Sequence, residues 1–211
     1  MGAGSYVVLL PVKPPGVGKT RLERLPREQL ARAFALDTAT AALASAAVAR
    51  VLALTDDAGF ASALSDLGCA AIPDGVSGDL NASLVLAAVE AARRWPDLTP
   101  VAICADLPCL QPVDLDEALA DRDGWPRFVA DASGIGTTLY TAPLDDFAPR
   151  FGPRSAALHE HGGAWPVPGD LSRLRHDVDD RADLSAAVRL GLGGHSAAAV
   201  AALEPELLEM P

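Results

Sequence analysis

The chain has 211 residues, half of them hydrophobic, and 28 acidic against 17 basic residues give a formal net charge of −11. This length suffices for one domain with a substantial core. The acidic balance argues against a protein that coats nucleic acid, because such proteins carry broad basic surfaces. No apolar run reaches the roughly 18 residues that span a bilayer, and no export signal is visible. We therefore expect a cytoplasmic protein without nucleic-acid or membrane partners.

Strand and helix patterns alternate along the first half of the chain. We expect a strand at residues 6–10, an Ala- and Leu-rich helix at 27–50, a strand at 51–55, a helix at 58–67, a strand at 70–73, a helix at 82–94 and a strand at 101–104. Such alternation is typical of a layered α/β domain.

The second half is less regular. We expect a small helix at 115–120, a strand at 127–131, a Gly-rich turn entering a strand at 134–141, a short helix that begins near Ser155, and a helix at 181–190. From about residue 191 a loop and a peripheral helix should follow. Since no internal repeat or Gly/Ser linker divides the chain, residues 1–211 are predicted to form one domain. Nothing in the sequence points to an oligomeric state.

The first strand runs into a segment rich in Pro, Gly and basic residues, from Pro11 to Arg21. Its glycines expose backbone N–H groups, and its cations suit a triphosphate. A P-loop needs Gly where Lys13 stands, and two consecutive prolines remove two N–H donors. A looser phosphate-binding loop, with Lys19 and Arg21 on the triphosphate, is therefore favoured over a P-loop or a solvated basic turn.

Asp106 directly follows the apolar strand at 101–104. Ligands of open α/β sheets bind at the carboxyl ends of strands, and one or two carboxylates commonly hold a magnesium–nucleotide complex. We expect Asp106 to bind metal, with a helix cap as the alternative role. Asp131, after the next strand, is a second candidate ligand. Asp177, Asp179 and Asp180 form a carboxylate cluster in which Asp179 is chosen as a ligand and another member is expected to be a helix N-cap.

Two further segments combine glycines with hydroxyl groups. They are Gly134-Ile135-Gly136-Thr137-Thr138 and Gly152-Pro153-Arg154-Ser155. The second opens a helix, whose first N–H groups are unpaired and attract anions. Two such segments close in sequence predict a second anion site. His159, one turn into that helix, is expected to pack or cap rather than to touch substrate.

Several of these motifs occur in one order along the chain. They are Leu10-Pro11-Val12-Lys13, Gly18-Lys19-Thr20-Arg21-Leu22, Gly78-Asp79-Leu80-Asn81, Asp106-Leu107-Pro108, the Gly134–Thr138 segment and Phe151-Gly152 with Ser155 and His159. The ordered set, which extends to about Leu184, resembles the guanylyltransferases of coenzyme F-420 biosynthesis, which act on phosphoenolpyruvate or 2-phospho-L-lactate. In that family a Thr-Pro pair commonly stands at the position of Asp180-Arg181.

The resemblance implies a three-layer α/β/α fold like that of the nucleotide-diphospho-sugar transferases, with a mostly parallel mixed sheet. It also implies Mg²⁺ and transfer of GMP from GTP to phosphoenolpyruvate, with diphosphate released. Thr137, Gly152 and Ser155 would bind phosphoenolpyruvate. Asp106 would hold metal with Asp131 or Asp179, and Lys19 and Arg21 would join Asp106 in catalysis. The nucleotide-binding residues would be Pro11, Val12, Lys13, Gly18, Lys19 and Asn81.

Other functions stay open at this point. The acceptor could be 2-phospho-L-lactate, 3-phosphoglycerate, molybdopterin or a sugar phosphate. A non-enzymatic GTP-binding regulator is a different class of protein. It would need one anion site, whereas the motifs predict two.

Overall fold

The structure, a computed structural model, describes residues 5–12, 26–120 and 124–203. Within these ranges seven strands form one sheet: β1 (Tyr6–Pro11), β2 (Val48–Leu54), β3 (Ala70–Ile72), β4 (Thr99–Ile103), β5 (Arg127–Ala130), β6 (Thr137–Thr141) and β7 (Trp165–Pro166). Their order is β3-β2-β1-β4-β6-β5-β7. All neighbours are parallel except β6, which is antiparallel to both β4 and β5. The predicted mixed, mostly parallel sheet is confirmed.

Eight α-helices are present within the described ranges. They are α1 (Arg27–Ala44), α2 (Ala58–Leu67), α3 (Leu80–Arg94), α4 (Pro112–Ala118), α5 (Ser155–His161), α6 (Ser172–Arg175), α7 (Arg181–Leu190) and α8 (Gly194–Ala201). None of these helices is long and apolar enough to cross a bilayer. Most predicted elements are present with ends shifted by a few residues, while β7 and α6 had no predicted counterpart.

Alternate residues of the central strands supply two separate cores. In β1, Val8 and Leu10 pack in a cluster with α1, α2 and α4. Val7 and Leu9 pack on the opposite face with α3 and α5. This follows from the two-residue period of a strand, and a parallel sheet needs both of its faces covered. The predicted three-layer α/β/α architecture is confirmed.

The helix expected at residues 27–50 is shorter than its composition suggests. It ends before Ser45, and β2 begins at Val48. Asp116 of α4 receives hydrogen bonds from the Ser45 hydroxyl (2.6 Å) and the Ala47 N–H (2.9 Å). The prediction was wrong because pairing with β1 outweighs the helix propensity of a segment that contains no Gly or Pro.

The outer face of α1 carries a third core cluster. Leu30 and Phe34 are fully buried there against α7 and α8. Asp37, also of α1, is buried, and its carboxylate accepts hydrogen bonds from the N–H groups of His195 (3.0 Å) and Ser196 (2.7 Å). These are first-turn donors of α8 that have no partner within their own helix. A side chain of one helix thus caps another.

We expect Asp37→Ala to lower the free energy of unfolding by about 1–2 kcal/mol, because the α8 N-terminus loses its cap. Urea denaturation of the variant and the wild type measures the difference. Asp66→Ala, at an exposed position of α2, is the matched control and should change stability little. Equal stability of Asp37→Ala and Asp66→Ala would show that the contact contributes nothing.

Candidate functional site

The carboxyl ends of the central strands bring several predicted site residues to one edge of the sheet. β1 and β4 are parallel neighbours, so Val12 and Asp106 follow them at the same edge. β6 is antiparallel to β4 and begins there with Thr137. The Cys104 N–H donates to the Thr138 carbonyl at 2.8 Å, which continues the pairing beyond β4. This is the edge at which open α/β sheets bind ligands.

Three carboxylates meet just beyond the end of β4. One oxygen from each of Asp106, Asp177 and Asp179 lies within 4.8 Å of the other two. The Val178 N–H donates to the Asp106 carbonyl at 3.1 Å and ties the two segments together. Val178 itself is fully buried in the third core cluster. We call Asp106, Asp177 and Asp179 the acidic cluster.

The acidic cluster has an unfavourable concentration of negative charge. Burial, together with the charges of Asp106 and Asp179, raises the pKa of Asp177 to about 7. Asp131 adds to this effect, and a hydrogen bond to the backbone of Asp177 opposes it. A nearby cation would favour the ionised form of all these groups. Carboxylate oxygens are also the donors that hard divalent cations prefer.

The backbone beside the acidic cluster is held by the start of α7. Asp180 is the N-cap, and its side chain accepts from the N–H groups of Ala182 (2.8 Å) and Asp183 (3.0 Å). Asp183 in turn accepts from the N–H groups of Asp179 (3.1 Å) and Asp180 (3.0 Å). The expectation that one of the three acidic residues caps a helix is confirmed. Asp180 supplies the cap that Thr supplies where Thr-Pro opens a helix.

Asp131, a predicted metal ligand, is not part of the acidic cluster. Its Oδ1 accepts from the Ser133 hydroxyl (2.8 Å) and the Ile135 N–H (3.0 Å), and its Oδ2 accepts from the Gly136 N–H (2.8 Å). A side chain on Gly136 would overlap this carboxylate. Both oxygens of Asp131 therefore stabilise the turn that leads into β6.

The segment before α5 is shaped by its neighbours and by unusual backbone angles. The Asn81 carboxamide accepts from the Phe151 N–H (2.8 Å) and donates to the Phe151 carbonyl (2.9 Å). Gly152 has φ of 133°, and Arg154 is left-handed with φ of 58°, a conformation that disfavours most side chains. These angles turn the chain so that α5 begins at Ser155, which is buried.

The two Gly-containing segments contact each other. The Ala156 N–H in the first turn of α5 donates to the Ile135 carbonyl at 3.1 Å. Thr137 Oγ1 lies 3.0 Å from Nδ1 of His159, which is also in α5. The two predicted anion-binding segments therefore form one unit, residues 134–137 and 151–155, which we call the acceptor unit after the role expected of it from the sequence.

His159 packs inside the protein as expected. It is 1% exposed and stacks on Tyr140 with ring centroids 4.6 Å apart. Burial lowers its pKa from 6.5 to about 4, the charge of Arg150 acts in the same direction, and a hydrogen bond to the Ser155 backbone opposes both. His159 is therefore neutral at physiological pH.

Some of the predicted site residues lie in the described part of the chain and can be located, whereas others lie outside the described ranges. It brings Asp106 and Asp179 together, and places Thr137 with Gly152 and Ser155 in the acceptor unit. Asp177 belongs to the carboxylate cluster seen in the sequence, but it was not predicted to bind metal. Its position two residues before Asp179 is the sequence signal that could have identified it as a ligand. The carboxamide oxygen and nitrogen of Asn81 both form hydrogen bonds with the backbone of Phe151. Pro11 ends β1, whereas Lys13, Gly18, Lys19 and Arg21 lie outside the described residues.

Because the pKa of His159 is low in the folded protein, the free energy of unfolding should change with pH in a definite direction. In the unfolded chain the His159 imidazole binds a proton below about pH 6.5, whereas in the folded protein it does so only below about pH 4. Stability therefore falls as the pH is lowered through this window, by up to about 3 kcal/mol for a pKa difference of this size. Urea denaturation from pH 7.5 to 4 should show a smaller loss in His159→Phe.

Comparing this variant with wild type isolates His159, because Asp177 and the other titrating groups are common to both proteins. His161→Phe, at an exposed position of the same helix, serves as the control and should follow the wild type. Parallel pH curves for wild type and His159→Phe would contradict the assignment of a neutral, buried imidazole.

No protein-family model matches this chain. Solved structures with the same fold share little sequence with it. A candidate nucleotide-diphospho-sugar transferase of Desulfovibrio desulfuricans G20 superposes with a TM-score of 0.66 at 19% identity, covering 92% of this chain and 93% of that one. Rv0371C of Mycobacterium tuberculosis H37Rv in complex with manganese gives 0.52 at 19% identity, over 89% of this chain and 100% of that one. The fold is thus nucleotide-diphospho-sugar transferase-like.

Sequence relatives are much more similar. The phosphoenolpyruvate guanylyltransferase of Thermomonospora curvata is 44% identical, and the match covers 93% of this chain and 89% of the relative. The enzyme of the same name from Streptomyces coelicolor is 43% identical, with 94% of this chain and 97% of the relative covered. At this identity over nearly the full length of both partners, the chain belongs to the phosphoenolpyruvate guanylyltransferase family.

Proposed function

We propose that this protein transfers GMP from GTP to phosphoenolpyruvate, giving enolpyruvoyl-diphospho-5′-guanosine and diphosphate, as a step of coenzyme F-420 biosynthesis. Family membership supports the reaction. The structural observation that carries the proposal is the acidic cluster of Asp106, Asp177 and Asp179, at the sheet edge where β6 and the acceptor unit begin. A cation site beside an anion site is what a reaction between two phosphorylated compounds requires.

The acidic cluster fits a divalent cation, which we propose to be Mg²⁺. Three carboxylates stand close enough to share one ion, and burial together with repulsion from Asp106 and Asp179 raises the pKa of Asp177, two effects that a bound cation would offset. Asp106 and Asp179 are the predicted ligands, and Asp177 takes the place proposed for Asp131. When bound, the ion would neutralise phosphate charge and stabilise the leaving diphosphate.

The chemical step follows from the charges of the two substrates. An oxygen of the phosphoenolpyruvate phosphate forms a bond to the α-phosphorus of GTP, and the bond from that phosphorus to diphosphate breaks, with its electron pair leaving on diphosphate. Because phosphate monoesters are anionic at neutral pH, the attacking oxygen needs no general base. The main obstacle is repulsion between two polyanions, which makes positioning and charge compensation the work of the enzyme.

The acceptor unit is proposed to hold phosphoenolpyruvate. The Thr137 and Ser155 hydroxyls and the Gly152 backbone would contact its anionic oxygens. Asn81, expected beside guanine, is proposed instead to fix the segment after Phe151, because both of its amide groups bond there.

The nucleotide is proposed to lie where β1 ends. Pro11 and Val12 occupy that edge, next to Asp106. The positive charge for the triphosphate would come from Lys13, Lys19 and Arg21, with Gly18 offering backbone donors. Guanine as the base is proposed from family membership.

An acceptor panel tests the proposed function. Purified protein with GTP and Mg²⁺ should release diphosphate with phosphoenolpyruvate at a higher kcat/KM than with 2-phospho-L-lactate, 3-phosphoglycerate, molybdopterin or a sugar phosphate. Reactions without acceptor, and with ATP or CTP in place of GTP, are the controls. A higher kcat/KM with another acceptor would reassign the substrate, and tight GTP binding without any release would identify a regulator.

Removing the central carboxylate tests the metal role. Asp106→Ala should lower kcat at least about 100-fold, because the ion that stabilises several kcal/mol of developing charge loses a ligand. The fold should survive, since the substitution keeps the Asp106 backbone carbonyl, which accepts from the Val178 N–H. Steady-state kinetics, Mn²⁺ titration by electron paramagnetic resonance and a thermal melt measure the three effects.

Asp97→Ala, at an exposed position before β4, is the matched control and should retain wild-type kinetics and Mn²⁺ affinity. Full activity of a folded Asp106→Ala protein would refute the metal role of this residue.

A further inference from the structure

The imidazole of His159 bonds to Thr137 in one half of the acceptor unit and to Arg150, the residue directly before the other half. Its Nδ1 is 3.0 Å from the Thr137 hydroxyl at the start of β6. Its Nε2 is 2.8 Å from the backbone nitrogen of Arg150, the residue before Phe151. The Ala156–Ile135 backbone bond also joins the two segments, and His159 adds a connection through side-chain atoms that are almost fully buried.

These contacts fix where the proton of the ring resides. The Arg150 backbone N–H can only donate, so Nε2 must accept and carries no hydrogen. The hydrogen of a neutral imidazole is then on Nδ1, 3.0 Å from Thr137 Oγ1, with the Ser155 backbone as a second acceptor for the ring N–H. Neutrality itself is supported by the lowered pKa of His159, about 4, which its burial causes.

The tautomer determines what the Thr137 hydroxyl can do. A hydroxyl group has one hydrogen to donate and two lone pairs that accept. Since Nδ1 offers no lone pair, Thr137 cannot donate to His159. Its hydrogen is directed elsewhere, and an anionic oxygen of the substrate is the strongest acceptor such a donor can find.

We infer that His159 is a positioning residue that holds the Thr137 hydroxyl as a donor towards the anionic acceptor substrate. It also ties that donor to the segment carrying Gly152 and Ser155. This inference rests on the proposed function for the identity of the substrate. Because burial lowers the pKa of the ring, His159 is neutral at physiological pH and the donor role of Thr137 holds there.

The aromatic side chains around His159 suggest a substitution that removes its hydrogen bonds and keeps its packing. Tyr140 and Phe128 stack on the ring, with centroids at 4.6 and 5.8 Å. Phe keeps these contacts in His159→Phe and removes both nitrogens. Gln has an amide donor and acceptor about as far apart as the two ring nitrogens, so His159→Gln should partly restore both bonds.

Kinetics of four variants and one control variant test the inference. His159→Phe should raise the KM for phosphoenolpyruvate about tenfold, the value of one lost hydrogen bond to a charged group, and change the KM for GTP less than about twofold. His159→Gln should recover most of the loss. Thr137→Val should show a similar increase in KM, and the double variant should be little worse than either single one. His161→Phe, on the exposed face of α5, should match wild type.

An independent readout needs no activity. Two-bond ¹H–¹⁵N NMR spectra of the wild-type protein at pH 7 should show His159 protonated at Nδ1 and unprotonated at Nε2. This result decides the inference even if His159→Phe fails to fold.

A proton on Nε2, equal increases in both KM values, or additive effects in the double variant would overturn the inference. Failure of the proposed function is a separate outcome. In that case wild-type protein would transfer no GMP to phosphoenolpyruvate, while the NMR spectrum would still show the His159 proton on Nδ1.

Discussion

The hydrogen bond from the Val178 N–H to the Asp106 carbonyl connects two segments about 70 residues apart and creates the acidic cluster. Two ionised carboxylates at this separation repel each other by about 3 kcal/mol at an effective dielectric constant of about 20. Side-chain attraction therefore cannot hold them together. The backbone bond, the burial of Val178 and the capping box of α7 do so instead. The site is assembled by the core and the backbone, and a bound cation would offset a repulsion that the fold already tolerates.

A similar arrangement supports the loop that carries Asp106. Thr38 is fully buried in α1, where its hydroxyl donates to the Phe34 carbonyl at 2.9 Å and accepts from the Leu107 N–H at 3.3 Å. A helix on one face of the sheet thus fixes the residue that follows Asp106. The acceptor unit is held in the same manner from the other face, by Asn81 of α3. Both halves of the site are therefore anchored to rigid helices, as a reaction that depends on orientation requires.

Local patterns in the sequence predicted the elements well where packing and pattern agree. The α2 helix begins after the cap residue Asp57 and ends before Gly68, two signals that the sequence displays. The end of α1 carries no such signal. It is decided by Asp116, which is distant in the sequence, and by the pairing of β2 with β1. Short elements such as β7 were missed because two residues show no periodicity.

The sequence by itself determined the fold class, the family and most of the chemistry: an acidic residue after β4, a second acidic group before α7, and hydroxyl groups beside glycines. Tertiary structure decided which of these residues act together. The sequence favoured Asp131 over Asp177 as a ligand, yet Asp131 binds its own turn and Asp177 joins Asp106. The proton position on His159 likewise depends on the Arg150 N–H. A carboxylate or an imidazole takes its role from the donors around it, and the folded structure, through local turns as well as long-range packing, decides which donors those are.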